Sequence, residues 1–390
     1  MKYDFDRIID RQGTYSIKYD MAARGKADDV LPLWVADMDF QAPPCVIDAL
    51  AAHSRHGIFG YSDTDGAYFE TLRGWFFRRF GWRIEKDWLI KTPGVVTAIH
   101  IAIRALTKNG DAVIIQQPVY YPFASAVRLT GRKLTVNELI YENGKYFIDF
   151  NDFEKKIKEN HVKLFILCNP HNPVGRVWTR DELGRLGDIC LRNGVVVVSD
   201  EIHQDFVYDG HEHLVLASLD PAYRDIAVTC TSPSKTFNLA GLQLSNIFIA
   251  NEQLRRQFIR EHERCGLSQP GVMGIVACRA AYEGGEEWLR ELRAYLTGNL
   301  SFLQEFLRSR VPRVKLANPD GTYLAWLDFR ALRLDNRELD DMIVRKARLW
   351  LDDGPMFGAG GDGFQRMNIA CPRPVLRQAL QRLENAFGGI

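Results

Sequence analysis

Thr231-Ser-Pro-Ser-Lys235-Thr-Phe-Asn-Leu-Ala-Gly241 lies between two short apolar runs, residues 226–231 and 246–250. A lone lysine is ordinarily a solvated surface charge. Lys235 is flanked instead by hydroxyls and apolar groups, with no acidic residue in the stretch. Held between two buried strands, its ammonium loses hydration and its pKa falls. The amine then becomes a nucleophile suited to Schiff-base chemistry.

Outward from this loop, strand-like and helix-like segments alternate from about residue 90 to 250. Short apolar runs at 88–91, 112–116, 162–168 and 195–199 join the two already named, with helices expected over Val95–Leu106 and Arg180–Arg192. This alternation predicts an α/β fold with a mostly parallel, doubly wound sheet. Chemistry in such sheets gathers in loops at the carboxyl ends of the strands. Two more polar loops follow strand-like runs, Cys168-Asn-Pro-His-Asn-Pro-Val-Gly175 and Asp200-Glu-Ile-His203. All three loops are expected to converge on one pocket.

After Gly285 the pattern changes. A long amphipathic helix, Glu286–Arg310, precedes strand-like 322–328, a helix at 336–347, strand-like 364–370 and a terminal helix at 374–387. A smaller α+β domain is expected there. The first ~45 residues carry few helix signals and are expected to wrap over the rest. The expected division is therefore 1–45, 46–285 and 286–390.

The 50 Lys and Arg against 49 Asp and Glu leave a formal charge of +1, with no long run of one sign. Neither a nucleic-acid footprint nor a membrane-binding stripe is expected. The N-terminus lacks the apolar core of a signal peptide, and no apolar stretch could span a bilayer, so the cytoplasm is the expected compartment. Seven dispersed cysteines without a C-x-x-C pair suit free thiols better than disulfides or a zinc site. Asp37-Met-Asp39 lacks the companions of a metal site and reads as a turn element, so no metal is expected. Gly358-Ala-Gly-Gly-Asp-Gly363 satisfies a dinucleotide-binding pattern but precedes a strand, so it reads as a loop near the substrate entrance. Trp75, Phe76 and Phe77, with Phe80 and Trp82, read as a helix packed on the core.

Three further segments complete a specific pattern: Leu33-Trp-Val-Ala-Asp-Met-Asp-Phe40, Gly60-Tyr-Ser-Asp63 and Arg366-Met-Asn-Ile-Ala-Cys-Pro-Arg373. With the three loops above, they run nearly end to end. In that order and spacing the chain resembles the fold-type I pyridoxal-phosphate (PLP) enzymes of the class I/II aminotransferase superfamily. Within it, the cystathionine β-lyase or C–S lyase branch is the nearest match. The resemblance implies a large domain with a mixed, mostly parallel seven-stranded sheet between helices, and a smaller C-terminal domain.

It also implies a role for each matching residue. Lys235 would form the Schiff base and then move the Cα proton. Asp200 would face the pyridine nitrogen, and Asn172 would donate to the cofactor's phenolic oxygen. Tyr120 would cover the ring face, ahead of its neighbour Tyr121. Ser232, Ser234 and the amides of Gly94, Val95 and Val96 would take the phosphate. Tyr61 would reach the phosphate of a neighbouring subunit, implying a homodimer. Arg366 would grip the substrate α-carboxylate through a bidentate fork, with Asn172 and the backbone of Val35 and Ala36 also touching substrate. Arg373 reads better as a surface salt bridge.

Two departures from the aminotransferase pattern favour the lyase branch. Gln243 stands where aminotransferases often carry a phosphate-binding arginine, and His203 stands where many carry a tyrosine. His203 remains open to a cofactor-binding or a purely structural role. The expected reaction is β-elimination from a cysteine thioether such as L-cystathionine, giving a thiol, pyruvate and ammonia. The alternatives are an aminotransferase and, in a different class, a regulatory protein that binds a partner, because the branch includes a lyase that also modulates a maltose regulator.

Overall fold

The computed structural model describes residues 2–20 and 29–389, so residues 1 and 21–28 of the expected N-terminal segment lie outside it. Seven strands form the larger sheet. In chain order they are β1 (Leu89–Thr92), β2 (Ala112–Gln117), β3 (Lys133–Glu138), β4 (Leu164–Cys168), β5 (Val196–Asp200), β6 (Ala227–Thr231) and β7 (Ser245–Phe248). Their spatial order is β1-β7-β6-β5-β4-β2-β3. Strand β7 runs antiparallel to both neighbours, and the β3-β2-β4-β5-β6 ladder is parallel throughout. This is the mixed, mostly parallel sheet the sequence predicts.

The central strands are continuous apolar runs because both faces are covered. Alternate residues point to opposite faces. Leu164 and Ile166 join one core with Val198, Val228 and the Val95–Leu106 helix. Phe165 and Leu167 join the other with Trp178 and Leu186. Strand β3 is absent from the sequence reading. It is an edge strand with alternating exposure, and Lys133, Thr135, Asn137 and Glu138 break any apolar run.

The C-terminal region forms a four-stranded antiparallel sheet: β8 (Lys315–Leu316), β9 (Leu324–Asp328), β10 (Asp352–Asp353) and β11 (Phe364–Asn368), ordered β8-β9-β11-β10. The Glu286–Arg310 helix is present as expected, and the terminal helix runs Arg373–Phe387. The helix expected at 336–347 is α-helical only over Asn336–Asp341 and continues as a wider π turn over Met342–Lys346. All seven cysteines are free, and no helix among the described residues is long and apolar enough to cross a membrane. The Gly358–Gly363 pattern is a loop before β11. A Cβ on Gly358, at φ 93°, would fall 2.0 Å from Gln117 Nε2, so glycine lets this loop close on the end of β2.

Residues 31–40 form a strap between the two sheets. Leu31–Pro32 pairs in parallel with Leu349–Trp350, and Trp34 stacks on Trp350 at 4.4 Å. Asn368 on β11 donates to the carbonyls of Val35 and Asp37, both at 2.6 Å. Asn238, in the Lys235 loop, accepts from Met38 N at 3.0 Å and donates to the carbonyls of Met38 and Phe40. Asn368→Ala strands two strap carbonyls. It should lower unfolding stability by about 1–3 kcal/mol, read as a lower urea midpoint.

Candidate active site

The carboxyl ends of β4, β5 and β6 converge. Cys168, Asp200 and Cys230 lie in register across these strands. Just beyond them is a cavity of about 300 Å³ lined by Lys235, Asp200, Asn172, Tyr120, Ser234 and Gly94 among others. Lys235 sits on a short helical turn, Pro233–Thr236, directly after β6. Its Nζ donates to the Ala36 carbonyl of the strap at 2.7 Å. Tyr323, at the start of the small sheet, donates to the same carbonyl at 3.0 Å.

Electrostatics mark this cavity as functional. Burial, with Arg366 adding to it and Asp37 and Asp200 opposing, brings the Lys235 ammonium down to about 8. Burial pushes the Asp200 carboxyl up to about 7, against the Ile202 N–H at 3.1 Å and the charge of Lys235. Its neighbour Glu201 is fully buried and fixed by Ser199 Oγ at 2.8 Å and His213 Nε2 at 2.9 Å. His203 is held neutral, well below the ordinary histidine range, chiefly by burial. Its Nδ1 has no partner, so it is not a fully hydrogen-bonded core histidine. Burial raises the Tyr120 phenol to about 12.

Most of the expected residues line this cavity: Val95, Val96, Ser232, His203 and Ala36 join those already named. Val35 does not. Its carbonyl is taken by Asn368. Tyr61 lies outside its own chain's cavity and is fully exposed, beside exposed Ile58 and Phe59. Tyr121 is absent from the lining and packs its ring 5.3 Å from that of Tyr120.

Three residues differ in detail from expectation. The Ser232 hydroxyl already donates to the Leu244 carbonyl at 2.8 Å and caps the Lys235 turn by accepting from Ser234 N, which leaves Ser234 as the freer hydroxyl. Arg366 is fully buried and committed. One terminal nitrogen donates to Asn172 Oδ1 at 2.9 Å, and the other bonds Asp352 and the Trp34 carbonyl at 2.8 Å. Only its Nε is without a partner, so the open fork expected from sequence is half occupied. Arg373 is not a surface salt bridge among the described residues. Its Nε donates to buried Asn299 Oδ1 at 2.6 Å, and its guanidinium lies over Tyr295 and Phe302, partners that spacing alone does not reveal.

Sequence reasoning missed Thr97, a hydroxyl in the first turn of the Val95–Leu106 helix, and Cys168 on the cavity wall. A hydroxyl three residues after Gly94 was the available signal for Thr97.

The donor set can be tested against a ligand. Asp200 Oδ1 accepts one backbone N–H, and among the described residues no ion pair neutralises the carboxylate, which suits a protonated ring nitrogen. The Asn172 carbonyl oxygen is held by Arg366, which assigns its NH2 group as the donor left for the cavity. Amides at a helix N-terminus suit an anion, and Lys235 suits an aldehyde. Pyridoxal phosphate carries all of these complements, and the residues fit it.

Known proteins agree. Residues 28–383 match the family model described as aminotransferase class I and II. Cystathionine beta-lyase PatB of Bacillus subtilis is 44% identical over 385 residues, covering 98% of this chain and 100% of that protein. Cystalysin from Treponema denticola, which contains a pyridoxal 5'-phosphate cofactor, superposes with a TM-score of 0.96 at 39% identity over 99% of both chains. A PLP-bound putative aminotransferase from Clostridium difficile also superposes at 0.96, with 44% identity over 99% of this chain and 100% of that one. The chain belongs to the class I and II aminotransferase family of proteins.

Proposed function

We propose that this protein is a PLP-dependent carbon–sulfur β-lyase of the cytoplasm. It cleaves L-cystathionine and related cysteine thioethers to a thiol (homocysteine from cystathionine), pyruvate and ammonia. The observation that carries this reading is the Lys235 amine, buried in the cavity and poised near neutrality. The full-length similarity to a protein named cystathionine beta-lyase supports it.

When bound, pyridoxal phosphate supplies an aldehyde that condenses with amines and a ring that accepts the electron pair left on Cα. The chain does the rest. Lys235 is the amine that would hold the cofactor, and its free Nζ would take the Cα proton of the bound substrate. The Cβ–S bond then breaks, the sulfur leaves as thiolate, and water completes the release of pyruvate and ammonia. Asp200 keeps the ring nitrogen protonated, and Asn172 donates to the phenolic oxygen. Tyr120 covers the ring, and His203 lines the pocket beside it. The amides of Gly94, Val95 and Val96 and the Ser234 hydroxyl would hold the phosphate, while Ser232, committed to Leu244, shapes the turn beside it. Arg366 would receive the α-carboxylate through Nε, while Asp352 and Asn172 keep the guanidinium in place; Ala36, which lines the cavity, would bound the substrate, and Val35 behind it anchors the strap to Asn368.

With Arg366, behind Asn172, assigned to the α-carboxylate, the lining leaves no further cation besides Lys235 among the described residues for a distal carboxylate. That favours a range of thioethers over exclusive use of cystathionine. Residues 46–285 form the cofactor-binding unit, 286–390 the smaller one, and 1–45 the segment that joins them. The exposed cluster of Ile58, Phe59 and Tyr61 supports a homodimer in which Tyr61 serves the neighbouring site.

With L-cystathionine, the wild-type protein should release pyruvate, followed by lactate dehydrogenase coupling, together with thiol. Lys235→Ala should lower both by about 10³-fold or more. Keto-acid exchange without pyruvate or thiol would instead make the protein an aminotransferase. Sedimentation should give twice the 44.6 kDa chain mass.

The raised Asp200 pKa has a sign for stability. Below the unfolded value near 3.8 the buried carboxyl costs nothing extra, and above the folded value near 7 the full cost of its charge is present. Cofactor-free Asp200→Asn should therefore melt above wild type at pH 8 and match it near pH 4, while binding the cofactor more weakly.

A further inference from the structure

A cluster of four charges lies behind the strap, outside the cavity, with Lys18 and Asp39 buried and Arg11 and Asp37 part-exposed. Lys18 is fully buried, with Nζ 2.8 Å from Asp39 Oδ2 and 3.8 Å from Asp37 Oδ1. Arg11 bridges the same two acids, at 2.7 Å from Asp37 Oδ2 and 2.7 Å from Asp39 Oδ1, and donates to the Met38 carbonyl at 3.2 Å. The Lys18 carbonyl in turn accepts from Trp34 Nε1 at 3.3 Å. Two cations thus balance two carboxylates, and through them Arg11 and Lys18 grip residues 34–39.

Stability alone is a weak reason for such a cluster. Desolvating four charges consumes much of what their attraction returns, and apolar side chains of similar volume often do as well. The strap itself is already held by Asn238, Asn368 and strand pairing. What the cluster adds is control over a charge. Ala36, whose carbonyl accepts from Lys235 at 2.7 Å, directly precedes Asp37.

We propose that Arg11, Lys18, Asp37 and Asp39 form a positioning cluster that fixes the Ala36 carbonyl against Lys235 and tempers the negative charge of Asp37 beside it. This rests on the lyase reading for the role of Lys235. Among the charged groups facing Lys235, Asp37 acts more strongly than Arg366 or Asp200, and His203 is neutral. Arg11 is the cation in closest contact with Asp37. Among the described residues, removing it leaves Asp37 with the longer Lys18 contact alone, so Asp37 pulls harder on the Lys235 proton. Removing the charge of Asp37 has the opposite effect. Arg11, Lys18 and Asp39 act through Asp37 and the strap rather than by touching substrate.

The test is a pH titration of the visible absorbance of the cofactor-loaded, full-length protein. Arg11→Met should raise the midpoint and Asp37→Asn should lower it, each by about 1 pH unit. Arg11→Lys, which keeps the charge, should stay close to wild type. Competitive acetylation of Lys235 in the cofactor-free chain should give the same order. Loosening of the strap would move both variants in one direction. A common direction, or no shift in variants that melt cooperatively, overturns the proposal. If Arg11→Met does not fold, Asp37→Asn decides, because a midpoint that fails to fall overturns it alone. Pyruvate and thiol release by the wild type judges the lyase reading separately.

Discussion

One amine kept out of water organises this molecule. Lys235 lies on a single helical turn after a buried strand, and dehydration brings its pKa to about 8. An exposed lysine would be almost wholly charged and a poor nucleophile at neutral pH. Holding it there takes contributions from every part of the chain. Strand β6 delivers it, β5 places Asp200 across from it, the strap supplies the Ala36 carbonyl, and Tyr323 fixes that carbonyl from the small sheet.

The same dehydration leaves other polar groups under-satisfied. Asp200 has a raised pKa, His203 Nδ1 and Arg366 Nε lack partners, and all three lie at or beside one cavity. Buried polar atoms are ordinarily paired, and perturbed titrating groups together in one cavity mark a site shaped for a ligand. The fold tolerates this because its two flanking cores are dense and continuous.

The parts of this design that were legible in the sequence are those with a local cause. Strands buried on both faces announce themselves as apolar runs, and polar loops after Cys168, Ser199 and Thr231 stand out against them. Strand β3 did not, because an edge strand needs only one apolar face and its residues alternate. Position along the chain located the expected cavity residues but not how they are occupied. Nothing local shows that the Ser232 proton goes to Leu244, or that Asp352 already holds Arg366. The burial of Lys18 was equally invisible. A lysine is almost never fully buried unless paired, and its partners lie 19 and 21 residues away in sequence.

The two departures from the aminotransferase pattern gain a physical meaning beside this geometry. Gln243 lines the cavity where a fixed cation would otherwise stand, leaving amides and hydroxyls to meet an anion there. A permanent charge at that position would add to the depression that burial and Arg366 already impose on Lys235. His203, neutral and lacking a partner at Nδ1, likewise adds no charge. Lys235 is thus the one titrating cation on the cavity wall among the described residues. Its protonation is governed by a short set of neighbours: Asp37 and Asp200 favour the proton, while Arg366 and dehydration oppose it. Asp37 is the member of that set whose own charge is controlled from outside the cavity, by Arg11 and Lys18. The N-terminal segment therefore belongs to the chemistry of the lysine as much as the strand that carries it.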